Sequence, residues 1–230
     1  MKKVKCLISV MAVLLLLSAC AKADDSEIKQ TDAVTSATQE TEEGTETDAD
    51  MTSNQEVNDN AGVLVAYFSR AGENYNVGVV EKGNTEIVAE MIAQETGANL
   101  FKIQTVEGYP ESYEECTDVA KEEKEENARP ELSNTIDDIS EYDVIYLGFP
   151  IWWGDMPMAV YTFLESYDFS GKTIIPFCTH AGSGLAGTVE SIKGICARAS
   201  VSDGLAITGE TAQNDPEAAR DAVRGFLGTK

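Results

Sequence analysis

The feature that most narrows the folds open to this chain is the order of its apolar runs. Val63-Leu64-Val65-Ala66-Tyr67-Phe68, Leu100-Phe101-Lys102-Ile103, Val144-Ile145-Tyr146-Leu147-Gly148-Phe149 and Thr173-Ile174-Ile175-Pro176-Phe177-Cys178 have the length and composition of strands. Three of the four are continuously apolar rather than alternating, so they need cover on both faces. That is the condition of strands in a parallel sheet with helices on either side. A weaker fifth strand is expected near Val201 to Ile207.

Helical patterns fill the intervals. Thr85 to Thr96 carries an apolar face of Ile87, Val88, Met91 and Ile92, with Asn84 as N-cap and Gly97 as a left-handed stop. Ser112 to Asn127 is almost entirely Glu and Lys, a solvated outer helix with a narrow contact stripe at Cys116 and Val119. A third helix is expected to begin near Pro157 and run through Val160 and Leu164, since proline suits a first turn. A fourth covers Leu185 to Ala199, with Val189, Ile192, Ile195 and Cys196 inward. The last opens with Asp215-Pro216-Glu217 and packs Ala219, Val223, Phe226 and Leu227. Strict alternation of strand and helix predicts right-handed crossovers and an α/β, doubly wound parallel sheet with helices on both faces.

The amino terminus is of another kind. Met1-Lys2-Lys3-Val4-Lys5 is followed by an apolar run from Leu7 to Leu17 and then by Leu17-Ser18-Ala19-Cys20. A basic head, a hydrophobic middle and small residues before a cysteine resemble bacterial lipoprotein signal peptides. The resemblance implies cleavage of residues 1–19, acylation of Cys20, and a protein held on the extracytoplasmic face of the cell membrane. The apolar run is shorter than the roughly 20 residues of a spanning helix. Residues 21–60 are polar and carry 2 basic against 12 acidic side chains. Residues 20–60 are therefore expected to be the lipidated cysteine and an extended, disordered acidic tether, leaving 61–230 as one domain.

The mature chain would carry 14 basic and 40 acidic residues, a net charge of −26, which excludes the clustered cations that nucleic acid requires. Cys116, Cys178 and Cys196 are odd in number and match no zinc spacing, so buried, inert thiols are expected and no metal site.

In a doubly wound sheet, ligands bind beyond the carboxyl ends of the strands, where strand order reverses. The loops after the first, third and fourth strands are the ones to read. The first holds Ser69, then Arg70 to Lys82, then Gly83-Asn84-Thr85. Hydroxyls, glycine amides and a helix start suit a phosphate where basic side chains are few. It is neither G-x-x-x-x-G-K-[ST] nor G-x-G-x-x-G, which disfavours nucleoside triphosphates and dinucleotides. The second, Pro150-Ile151-Trp152-Trp153-Gly154-Asp155-Met156-Pro157, holds both tryptophans of the chain. Neighbouring side chains on an extended segment point opposite ways, so one can pack inward while the other meets a planar ligand. The third, Thr179-His180-Ala181-Gly182-Ser183-Gly184, lets backbone amides approach a ligand closely and holds the only histidine. Ala181 and Leu185 break G-x-S-x-G, so a serine hydrolase built on Ser183 and His180 is disfavoured.

Together, Tyr67-Phe68-Ser69, Gly83-Asn84-Thr85 and the proline-bounded tryptophan loop resemble the flavodoxin family over nearly all of residues 62–210. The resemblance implies a five-stranded sheet of order 2-1-3-4-5 and non-covalent FMN. It implies that Ser69, Gly83, Asn84 and Thr85 hold the phosphate. Pro150, Ile151, Trp152, Trp153 and Gly154 would flank the isoalloxazine, and Thr179, His180, Ala181, Gly182 and Ser183 would close its other side. The stretch from Arg70 to Lys82 is longer than the family's compact phosphate loop, which leaves the roles of Arg70, Asn74 and Tyr75 open. Pro176 falls in an interior strand, where a local bulge is expected. Asp203 to Gly209 lacks the small-residue core of a threonine flavin acceptor, so no covalent flavin is expected.

Such a protein needs no catalytic acid or nucleophile, and the expected function is electron carriage to a redox partner with a basic docking face. An FMN-dependent NAD(P)H:quinone or flavin reductase uses the same loops and is the first alternative. A lipoprotein that captures a ligand on this fold without redox chemistry is the second.

Overall fold

The computed structural model describes residues 62–229; the expected signal segment, Cys20 and the acidic tether lie outside the described residues. Chain order is β1 (Val63–Tyr67), β2 (Gly72–Asn74), β3 (Gly78–Val80), α1 (Asn84–Thr96), β4 (Asn99–Lys102), α2 (Tyr113–Glu126), β5 (Val144–Pro150), α3 (Met158–Ser166), β6 (Thr173–His180), α4 (Thr188–Ile195), β7 (Ser200–Val201), β8 (Leu205–Thr208), α5 (Gly209–Asn214) and α6 (Pro216–Leu227). The main sheet is parallel and runs β4-β1-β5-β6, with β7 and β8 both on the outer side of β6. This is the 2-1-3-4-5 order expected, with the fifth strand in two pieces.

Continuous apolarity is explained by what each face meets. Leu64, Ala66 and Phe68 point into one core with Ala159, Val160 and Phe163 of α3 and Ile192 of α4. The intervening Val65 and Tyr67 point into the other, with Val88 and Ile92 of α1, Ala212 of α5 and Ala219 and Val223 of α6. The two clusters occupy opposite faces of one sheet, and β5 and β6 divide their side chains in the same way.

The helices depart from expectation where backbone geometry overrides pattern. α1 is preceded by Gly83, not capped by Asn84, which is itself helical; its left-handed stop at Gly97 (φ +69°) is as expected. α2 buries Cys116 and Ala120, while Val119 is only half-buried. Pro157 precedes α3 rather than joining its first turn. α4 starts after Leu185 because Ala186 (φ +48°) sits in the left-handed region, and it ends at Ile195 because Cys196 leaves helical geometry (φ −102°, ψ 53°). α6 starts as read, with the Asp215 carboxylate accepting from Ala218 N–H at 3.0 Å.

Pro176 does not bulge β6. Its strand pairs with β5 without interruption from Val144↔Thr173 to Pro150↔Thr179. On the other side, the register passes from Ile174↔Val201 to Phe177↔Leu205, so the neighbouring strand carries one extra residue opposite Pro176. The Ile174 carbonyl accepts from Ser202 N–H at 3.0 Å on that side. Two residues on, Pro176 presents its missing N–H to the same side, and the ladder there is already broken.

Gly148 lies under the Phe177 ring: a Cβ at 148 would stand 2.1 Å from the ring. Both residues are in central strands, so neither can retreat. Gly148→Ala is expected to destabilise by about 1–3 kcal/mol through overpacking, and Phe177→Leu in the same chain is expected to restore part of the loss. Urea midpoints of the single and double variants measure this.

Candidate functional site

At the carboxyl ends of β1, β5 and β6 the three loops surround a cavity of about 400 Å³, within the usual range for small-molecule sites. One end is the start of α1. Its internal ladder begins with Ile87 N–H to Gly83 O at 3.3 Å, and the Ser69 hydroxyl accepts from Glu86 N–H at 3.1 Å. Ser69 is thus a cap supplied from β1's exit. The amides of Asn84 and Thr85 precede that ladder, at the positive end of the helix dipole. Gly83 has an ordinary φ of −68°, and its requirement is space. A Cβ there would come 2.3 Å from Ser69 Oγ and 2.4 Å from Arg70 O.

Two contacts fix the neighbouring side chains. The hydroxyls of Thr85 and Thr179 share a hydrogen bond of 2.8 Å in the interior, which ties the first loop to the third. Asn84 accepts at Oδ1 from Gln213 of α5 at 2.9 Å, and Gly209 at the start of α5 lets its amide nitrogen pass, since a Cβ would stand 2.4 Å away. Asn84, Gly209 and Glu210 line the cavity; Ser69, Gly83 and Thr85 stand behind its wall.

The tryptophans are parted by a turn, not by an extended segment. Trp152 N–H donates to Asp155 O at 2.8 Å and Asp155 N–H to Trp152 O at 3.0 Å, around Trp153 (φ +51°) and Gly154 (φ +75°). These values are those of a type I′ turn. Trp152 goes inward, edge-on to Phe68 and Tyr109 with centroids 5.4 and 5.0 Å away. Trp153 turns outward onto α2. Its indole N–H donates to Thr117 O at 2.9 Å, its carbonyl accepts from Lys124 at 2.7 Å, and Lys121 stands 5.9 Å from its ring. A left-handed bulky residue costs about 1–3 kcal/mol, and these contacts offset it. The ring remains 53% exposed. Pro150, Ile151, Trp152 and Trp153 line the cavity, and Gly154 serves the turn.

Thr179, His180 and Ala181 form the facing wall. His180 Nδ1 accepts from Gly182 N–H at 2.8 Å, so the neutral ring carries its proton on Nε2, and burial holds its pKa below the ordinary value. Gly182 and Ser183 are exposed and lie off the cavity wall.

Three further contributors are absent from the expected set. The α2 residues Tyr113, Cys116, Thr117 and Ala120 recur at helical spacing along one wall; the stripe at Cys116 was legible, its direction was not. The Gly72–Asn74 and Gly78–Val80 strands pair as a hairpin, and Arg70, Asn74, Tyr75 and Asn76 line the cavity. Two glycines and two asparagines in that stretch were the available signal. α5 is the third, hidden because six residues are too few for periodicity. Among the described residues, Cys116, Cys178 and Cys196 are buried and unbridged. Burial pushes the thiols up, Cys178 to about 12 and Cys196 to about 11; for Cys116 burial outweighs the opposing pull of Arg70.

A sequence model of the flavodoxin family matches residues 62–219. A protein designated a flavoprotein from Bacteroides eggerthii is 26% identical and superposes with a TM-score of 0.57, over 74% of this chain and 98% of its own. A second so designated, from Bacteroides uniformis, is 26% identical with a TM-score of 0.57, over 73% and 98%. A flavoprotein in complex with FMN from Lactobacillus acidophilus, 24% identical with a TM-score of 0.52 over 66% and 95%, shares the fold. No curated protein matches the chain.

His180 gives a clean test of the wall, because it is the only histidine. Its folded pKa is lowered, so the stability it contributes is present above the ordinary imidazole value of about 6.5 and is lost as pH falls through the folded value. The Cε1–H resonance of this one imidazole in an NMR titration is expected to have its midpoint below that value.

Proposed function

The chain belongs to the flavodoxin family, and from that membership we propose that it binds FMN without a covalent bond and carries electrons. The observation that carries this reading is the meeting, across one cavity of about 400 Å³, of a helix start at one end and the tryptophan turn at the other. The residues fit the group. A phosphate dianion can take the amide and side chain of Asn84 with little basic charge, as the helix terminus supplies the positive potential. The ring system can lie between Trp153 and the wall of Thr179, His180 and Ala181, with Pro150 and Ile151 beneath it.

Bound FMN supplies one- and two-electron exchange. The protein's part is to orient, shield and tune. Trp152, held edge-on by Phe68 and Tyr109, gives the turn a rigid base. Burial disfavours the charged form of His180, which keeps positive charge beside the ring low. Residues 61–230 carry 12 basic and 28 acidic side chains, a net charge of −16, and negative surroundings disfavour a more negative bound group. The same charge would steer a partner with a basic face. Acylation at Cys20 and the acidic segment behind it would hold the domain outside the cytoplasm on a tether, with no role for nucleic acid.

Added FMN is expected to bind the purified full chain and to have its fluorescence quenched. Trp152→Ala and Trp153→Ala are each expected to weaken binding by at least about tenfold, which corresponds to about 1.4 kcal/mol. A titration with no quenching and no flavin absorbance in the protein fraction would remove FMN from the reading. Redox titration of the bound flavin at low and high salt tests the charge argument. The potential is expected below that of free FMN and to rise towards it as salt screens the acidic surface; a potential above free FMN at both salts contradicts the argument.

A further inference from the structure

The hairpin inserted between β1 and α1 is fastened far more firmly than its size allows. Two strands of three residues are not stable by themselves. Arg70 donates from one terminal nitrogen to Pro110 O at 2.8 Å and Glu111 O at 3.0 Å, and from the other to Glu73 O. Glu73 N–H donates to Glu111 O at 2.8 Å, and the Glu73 carboxylate accepts from Tyr113 N–H at 3.0 Å. This clamp sets Tyr75 beside Tyr113, with ring centroids 5.8 Å apart and planes inclined by 38°.

The two rings are ordered without being buried, Tyr75 remaining 54% and Tyr113 38% exposed. Holding aromatic side chains still in water gains little, because their contribution comes from burial. Both line the cavity, and Tyr113 stands one turn before Thr117, the residue on which Trp153 is anchored. We infer that Tyr75 and Tyr113 form a second aromatic subsite at the cavity mouth that stacks an uncharged planar ring of the quinone class beside the flavin. This inference rests on the flavin reading above.

Charge selects the class. Arg70 is the only Lys or Arg on the cavity wall among the described residues, and three of its donors are committed to carbonyls. Glu210 stands on the same wall, in a domain of net charge −16. A dinucleotide would bring a pyrophosphate into that field with no cation to receive it, whereas a neutral ring meets no such cost. Asn76, also on the wall, carries an amide that can donate to a ring carbonyl.

The test is a titration of the FMN-loaded full chain with 1,4-naphthoquinone, followed by protein fluorescence. Tyr75→Ala and Tyr113→Ala are each expected to weaken quinone binding by roughly 3- to 10-fold. Tyr75→Phe, which keeps the ring, should bind quinone as the parent does, and in both alanine variants quinone affinity should fall by more than FMN affinity. The inference is overturned if FMN affinity falls in step with quinone affinity, since the ledge would then belong to the flavin itself. It is also overturned if neither alanine variant changes quinone binding, or if NADH outcompetes the quinone. Should the chain take up no FMN, the same titration without flavin separates the two ideas. Tyrosine-dependent quinone binding then keeps the ledge while the flavin reading falls, and its absence removes both.

Discussion

Two-sided burial of β1, β5 and β6 is the constraint on which the rest depends. A strand that is apolar on both faces has to lie inside a layered sheet, and with helices on both faces every crossover returns the chain in the same direction. Three strand ends are thereby brought side by side. The hydroxyl pair of Thr85 and Thr179, 94 residues apart in sequence, exists only because that convergence is forced. So does the contact between Asn84 and Gln213. The site is held by the sheet's ends, and its precision comes from close approaches at Gly83 and Gly209, where a single methyl group would not fit.

How much of this was legible from residues alone depends on the range over which each cause acts. The strands were readable because burial writes itself into local composition, whereas their order in the sheet came with the family resemblance. The two ends of the cavity were readable because glycine beside a helix start and paired tryptophans are unusual in themselves. Trp153 shows the limit: opposite orientations of the two tryptophans were anticipated, without saying which faces which way and for an extended segment, whereas they follow from a left-handed turn stabilised by contacts to α2. Pro176 shows it differently. A bulge was expected where the proline is, and the extra residue lies in the strand across from it, because the strand with the shorter ladder yields more cheaply than one paired on both sides. The β2–β3 hairpin and α5 are too short for periodicity to show, and both are fixed by contacts with distant residues.

The electrostatics are divided in a way that composition does not reveal. The acid-rich α2 nonetheless directs two lysines at the tryptophan turn, where Lys124 also stands 3.9 Å from Asp155. Glu86, an acid in the first turn of α1, is taken up by Lys102 at 2.8 Å and by the Tyr67 hydroxyl at 3.3 Å. It is therefore turned away from the cavity end of the helix. The negative field is that of the whole surface, while the cavity walls are mostly neutral.

The manner in which Arg70 grips the hairpin has an evolutionary side. Its partners are all backbone carbonyls, which every amino acid possesses. Substitutions along the hairpin can accumulate without loosening the grip, provided Arg70 and the small residue at position 72 persist. The segment is therefore an exchangeable cassette mounted on a constant bracket. Its tip can be rewritten for a new ligand while the helix start behind it, fixed by Gly83 and Ser69, stays as it is.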